Sequence, residues 1–121
     1  MNRKDHEPTP AIALWGWRFH HVGIPTTGPI RDEKYLSEYK FYCGGFSSSP
    51  FGAEWMRFES DSPVHELIKQ IPHLAFEVDD LDLELQKHDF EVISPPGSPS
   101  EGVRTVMIVD NGVPIELIEF R

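Results

Sequence analysis

His20-His21-Val22-Gly23-Ile24 and His73-Leu74-Ala75-Phe76-Glu77-Val78 are two short strand-like segments that each open on histidine. A third segment, Pro114-Ile115-Glu116-Leu117-Ile118-Glu119-Phe120, sets carboxylates into an apolar strand near the C-terminus. Two imidazoles and a carboxylate on rigid strands suit a divalent ion that shares its coordination sphere with substrate. The pattern points to an enzyme, and the rest of the chain is read outward from it.

Around these strands the chain divides into two similar passages. Residues 1–12 carry Pro8 and Pro10 among charges and read as a loose tail. Residues 13–121 read as one domain with halves at about 13–70 and 71–121. In the first half, the His21 strand stops at Pro25, and Ile30 to Tyr39 reads as a helix with Leu36 and Tyr39 turned inward. A short strand at 40–43, a Ser-rich loop from Phe46 to Gly52 and a strand from Glu54 to Glu59 follow. Ser62-Pro63 opens a short helix to Gln70, with Ser62 as its cap. In the second half, Asp79-Asp80 caps a helix running to about His88. Phe90–Ile93 is a short strand ended by the stiff loop Ser94-Pro95-Pro96-Gly97-Ser98-Pro99. Val103–Val109 and Val113–Phe120 form a hairpin about Asp110-Asn111-Gly112. The recurrence of a histidine strand, a helix and further strands implies a degenerate internal duplication, rolled into one sheet with a cleft inside it.

The bulk properties narrow the function classes. With 39% hydrophobic and 12% aromatic residues, the chain builds a core of its own. Eleven basic against twenty acidic residues, a net charge of −9, argue against nucleic acid or an anionic membrane as partner. Cys43 stands alone, so no disulfide framework or cysteine metal cluster is expected, and it reads as a small core residue. No apolar run approaches a membrane span, and Met1–Pro10 carries no hydrophobic signal core, so the expected location is cytoplasmic. Gly44-Gly45 is an isolated pair and not a phosphate loop, which argues against nucleotide cofactors.

Together, His20–Ile24, Pro72–Asp82 and Asp110–Glu119 resemble the vicinal oxygen chelate superfamily, which includes glyoxalases, bleomycin-resistance proteins and extradiol dioxygenases. Asp61-Ser62-Pro63-Val64 looks most like the glyoxalase and methylmalonyl-CoA epimerase branch. The resemblance implies an α+β fold of two paired βαβββ modules, forming a curved mixed sheet around a central cleft, and a homodimer. It implies His21, His73 and Glu116 as ligands of a divalent metal (Zn, Ni, Co, Mn or Fe). It also implies a further glutamate on the strand before the mid-chain helix; counting back from Asp61-Ser62-Pro63 places that position on Met56. A thioether is a poor ligand for a hard ion. Glu54, on the same strand face as Met56, is then the candidate replacement ligand or proton-transfer base.

The expected activity is a glyoxalase-like isomerase, lyase or epimerase on a small 2-oxo or 2-hydroxy carbonyl substrate, through a metal-stabilised enediolate. Glu54 and Glu116 are its candidate catalytic residues. The alternatives are a metal-free ligand-binding protein of the bleomycin-resistance type and an extradiol-type dioxygenase. By strand alternation His20 faces away from His21, in an outer shell or in solvent. Glu119, His6, His65 and His88 read as solvated, Arg57 as a surface ion pair, and Trp15, Trp17 and Trp55 as core or interface aromatics. The Phe46–Gly52 and Pro95–Glu101 loops are expected to set the size of the pocket.

Overall fold

The structure, a computed structural model, describes residues 3–121; Met1 and Asn2, within the expected tail, lie outside the described residues. The helix α1 (Pro10–Ala13) already lies where a loose tail is expected, and Ala11 packs on the core. The strands β1 (Arg18–Pro25), β2 (Lys34–Leu36), β3 (Phe41–Gly44) and β4 (Ala53–Phe58) follow, with a 3-10 turn at Phe46–Ser48 before β4. Next come the helix α2 (Glu66–Gln70), the strand β5 (His73–Glu77) and the helix α3 (Leu81–Lys87). The strands β6 (Glu91–Ser100), β7 (Val103–Asp110) and β8 (Val113–Phe120) complete the chain.

All eight strands form one curved mixed sheet in the order β2-β3-β4-β1-β5-β8-β7-β6. Outward from the central β1–β5 pair the two sides match, because β4, β3 and β2 mirror β8, β7 and β6. β1 pairs parallel with β4 just as β5 pairs parallel with β8, while β1 and β5 run antiparallel. No helix among the described residues is long and apolar enough to cross a membrane.

The two modules differ in one respect. The second half runs strand, α3, then three strands, whereas the first has no helix between β1 and β2. The helix expected over 30–39 is absent because cross-strand contacts override local propensity. Tyr35 of β2 packs on Tyr42 at 4.7 Å, Arg57 of β4 lies over the Tyr42 ring, and its guanidinium pairs with Glu33 at 2.8 Å. Asp32 and Lys40, with φ of 54° and 51°, turn the chain on either side of β2.

The segment expected to be a stiff loop after Ile93 is instead the greater part of β6. As an edge strand it tolerates Pro95, Pro96 and Pro99, which have no N–H to donate, and its pairing with β7 slips at three places. The Asp110-Asn111-Gly112 hairpin forms as expected: Asn111 and Gly112 have φ of 51° and 85°, the twist of a primed turn.

Alternation divides each strand between two faces. Outside, α3 packs Leu81 against Phe76, Val78, Val106, Ile108 and Leu117, and Trp17 closes the cluster. The Trp17 indole N–H donates to buried Glu84 at 2.7 Å, satisfying both groups. Asp80 caps α3 through the Leu83 N–H, as its position predicts. The cap of α2 is His65, whose ring accepts the Leu67 N–H, and not Ser62, whose hydroxyl donates to the Tyr39 carbonyl.

Candidate metal centre

The central four strands carry the candidate site on one face. His21 on β1, His73 on β5 and Glu116 on β8 place one donor atom each within 4.8 Å of one another. Both histidines are buried, and the Glu116 side chain is 17% exposed, so the carboxylate is reached from one side. Glu116 Oε1 lies 3.3 Å from His21 Nε2 and 3.6 Å from His73 Nε2. Both separations exceed an ordinary N–H···O bond, leaving the three donors converged but unsealed.

Register explains why these residues meet. Ala75 pairs with Glu116 across the parallel β5–β8 ladder, two residues after His73. Gly23 pairs with Glu54 across the parallel β1–β4 ladder, two residues after His21. Each half therefore presents the same histidine–glutamate pair. This corrects the sequence count: the first-half counterpart of Glu116 is Glu54, while Met56, which pairs with Pro25, lies further along β4. Glu54 Oε1 stands 3.7 Å from His21 Nε2, beside the three-donor cluster.

Electrostatics separate the two carboxylates. Burial pushes Glu116 upward, but the two imidazoles facing it prevail and hold it at about 2. Glu54 is raised, first by burial and then by the charge of Glu116, with His21 opposing. For His21, burial opposes protonation, but Glu116 and then Glu54 raise its pKa.

His20 does not face away from His21. The β1–β5 register slips between Phe19 and His21, so His20 is the extra residue of a bulge. Its Nδ1 lies 2.7 Å from Nδ1 of His21, and its ring stacks on Phe46 at 5.0 Å. One of these two nitrogens must donate to the other. With the proton on His21 Nδ1, its Nε2 presents a free lone pair toward Glu116. Burial and the neighbouring His21 lower the pKa of His20, which favours a neutral ring that can accept.

These residues fit a divalent ion. The donors are two imidazole nitrogens and one ionised carboxylate, a borderline-to-hard set. His73 is held in place because its ring fills the space where a side chain on Gly23 would be. Its Nδ1 is buried without a hydrogen-bond partner.

A cavity of about 390 Å³ opens on Glu116 and is lined by Phe41, Met56, Ile68 and Met107 among others. Ser94, Pro95, Gly97 and Pro99 of β6 form part of its wall, so this segment does shape the pocket. The Phe46–Gly52 segment lines a different hollow of about 480 Å³, with Trp55 and Ile30, that none of the four His/Glu donors touches.

Other expectations resolve outside the site. Glu119 is buried, not solvated: it accepts the Leu81 N–H at 2.8 Å and pairs with Arg121. His88 is packed, not solvated, stacking on Phe90 and lying against Trp15. Burial pushes the Cys43 thiol up to about 11, with Glu54 adding to it, which removes it as a nucleophile. The sequence reading missed the roles of Gly23 and of Met107. An isolated glycine inside a strand, two residues after a candidate ligand, was the available signal for a close approach.

No protein-family model matches the chain, and no curated protein matches it. Among solved structures it is similar to the hypothetical protein BH1468 from Bacillus halodurans C-125, with a TM-score of 0.64 and 16% identity over 87% of this chain and 95% of that one. It is also similar to methylmalonyl-CoA epimerase from Mycobacterium tuberculosis, with a TM-score of 0.63 and 20% identity over 86% of this chain and 88% of that one. At these identities the likeness establishes the fold alone, a curved mixed sheet shared with these two proteins.

Proposed function

We propose that the protein is a metal-dependent enzyme that moves a proton on a carbon adjacent to a carbonyl, acting on a small 2-oxo or 2-hydroxy compound. The observation that carries this reading is the matched histidine–glutamate pair of each half, which brings His21, His73 and Glu116 together with Glu54 beside them. His21, His73 and Glu116 would hold the ion. When bound, a divalent ion supplies Lewis-acid stabilisation of the negative charge that builds on a carbonyl oxygen.

The chain's own residues divide the remaining work. Glu116 stays ionised across the physiological range, as its low pKa requires. Glu54 takes and returns the proton at its carboxylate, and its raised pKa brings it closer to neutrality, where a general base works best. Phe41, Met56 and Met107 exclude water from one side of the reacting carbon. Isomerisation, epimerisation and lyase reactions all contain this proton transfer, and one protein of similar fold is an epimerase.

The test is elemental analysis of protein purified without added metal or affinity tag, repeated on Glu116→Gln and His73→Ala. A stoichiometric transition metal, lost in both variants, is expected. Glu54→Gln should keep the metal while α-proton exchange into heavy water falls by roughly 10²- to 10⁴-fold. Iron in the wild type, with catechol ring opening, would replace this reading by a dioxygenase. No metal after reconstitution, with a ligand held in the apolar cavity beside Met56, would make it a binding protein.

A further inference from the structure

The lining of the inner cavity bears on what the substrate carries beyond its reacting carbonyl. Phe41, Met56, Val64, Ile68 and Met107 contribute apolar side chains to its walls, and Met107 is the cross-strand partner of Glu116. The neutral polar groups include the hydroxyls of Tyr39 and Thr105. Only two lining residues carry charge, Glu38 and Glu116, and both are carboxylates. No lysine, arginine or histidine lines it among the described residues.

The nearby cations are engaged elsewhere. Lys40 is paired with Asp61 at 2.6 Å, and Arg57 with Glu33 at 2.8 Å. The Lys69 ammonium donates to the Ser62 carbonyl at 2.6 Å and pairs with Glu66. Lys34 is exposed on the edge strand and stands outside the lining. Away from the Glu116 end, where the ion would sit, an anionic tail entering this space would lose its hydration, gain no side-chain counter-charge and face the Glu38 carboxylate. The volume also lies at the small end for ligand pockets, roughly 300–1,000 Å³, so the part of a substrate that it encloses is a small group.

We propose that the substrate tail held in this cavity is uncharged and mainly apolar, a neutral alkyl or aryl carbonyl compound and not one with a phosphate, nucleotide or carboxylate tail. This rests on the reading that Glu116 marks the reacting end. The hydroxyls of Tyr39 and Thr105 can each bond a single neutral oxygen on such a tail. The apolar side chains supply affinity by removing its surface from water.

Calorimetric binding of two matched probes tests the assignment: 1-phenyl-1,2-propanedione and the same dione bearing a carboxylate at the para position of its ring. The reacting ends are identical, so any contact with a metal is common to both. The neutral probe should bind wild type tighter by roughly tenfold or more. Thr105→Lys, which adds a cation to the wall, should narrow or reverse that ratio. Equal or tighter binding of the carboxylate by wild type would overturn the proposal, as would no detectable binding of either probe. The wild-type comparison decides the matter even if the lysine variant does not fold. Metal content measured on the same sample keeps the two questions apart. Neutral preference without metal would leave this inference standing and remove the catalytic reading; metal with anionic preference would do the reverse.

Discussion

The imidazole of His73 lies across the backbone of Gly23, so close that a methyl group at position 23 would overlap the ring. The two residues are direct partners in the antiparallel β1–β5 ladder at the centre of the sheet. His73 can therefore turn its Nε2 toward Glu116 only while residue 23 has no side chain. Gly23→Ala should displace the ring, abolish metal retention and lower stability by about 1–3 kcal/mol. Metal analysis with urea denaturation checks this. A variant with full metal content and unchanged stability would show that the ring position does not depend on the glycine.

The bulge that brings His20 against His21 makes a second claim testable. In His20→Phe the stack on Phe46 can persist, but His21 Nδ1 loses its partner. Metal affinity should fall by roughly 10- to 100-fold, as when an outer partner of a ligating histidine is removed. His20→Asn, which keeps a hydrogen-bonding group, should fall less. Competition with a chromophoric chelator measures both, and equal affinities in wild type and His20→Phe would refute the role.

Glu119 links the end of β8 to the start of α3 and gives the fold an acid limit. Arg121 and then the Leu81 N–H favour its ionised form and hold its pKa below the ordinary 4.5. A folded-state pKa below the unfolded one means that the unfolded chain binds the proton more readily. The stabilisation is thus complete above the unfolded value and is lost as pH falls from there through the folded value. Glu119→Gln should lose about 1 kcal/mol at neutral pH and decline less steeply under acid. Urea midpoints measured across the acid range test this, and parallel curves for the two proteins would contradict it.

Much of the second half was legible because its signals are local. Asp80 caps α3, Asn111 and Gly112 adopt the left-handed angles that a tight hairpin needs, and both features act within a few residues. The first half was harder to read. Residues 30–39 contain plausible helix formers, yet Tyr35, Arg57 and Glu33 settle the chain as an edge strand through contacts made across β3 and β4. The proline-rich end of β6 read as a loop for a related reason, since a proline is excluded from a ladder only where its missing N–H would be needed.

By itself, the sequence determined the donor types and the strands that carry them, because alternation and turn chemistry are properties of neighbouring residues. It determined that His21, His73 and Glu116 were the residues to watch. Only the tertiary structure decided that Glu54, and not Met56, is the counterpart of Glu116, because register between strands is set by pairing across the sheet. The same holds for His20, which a bulge of a single residue moves beside His21, and for the cavity, whose walls come from segments far apart in the chain.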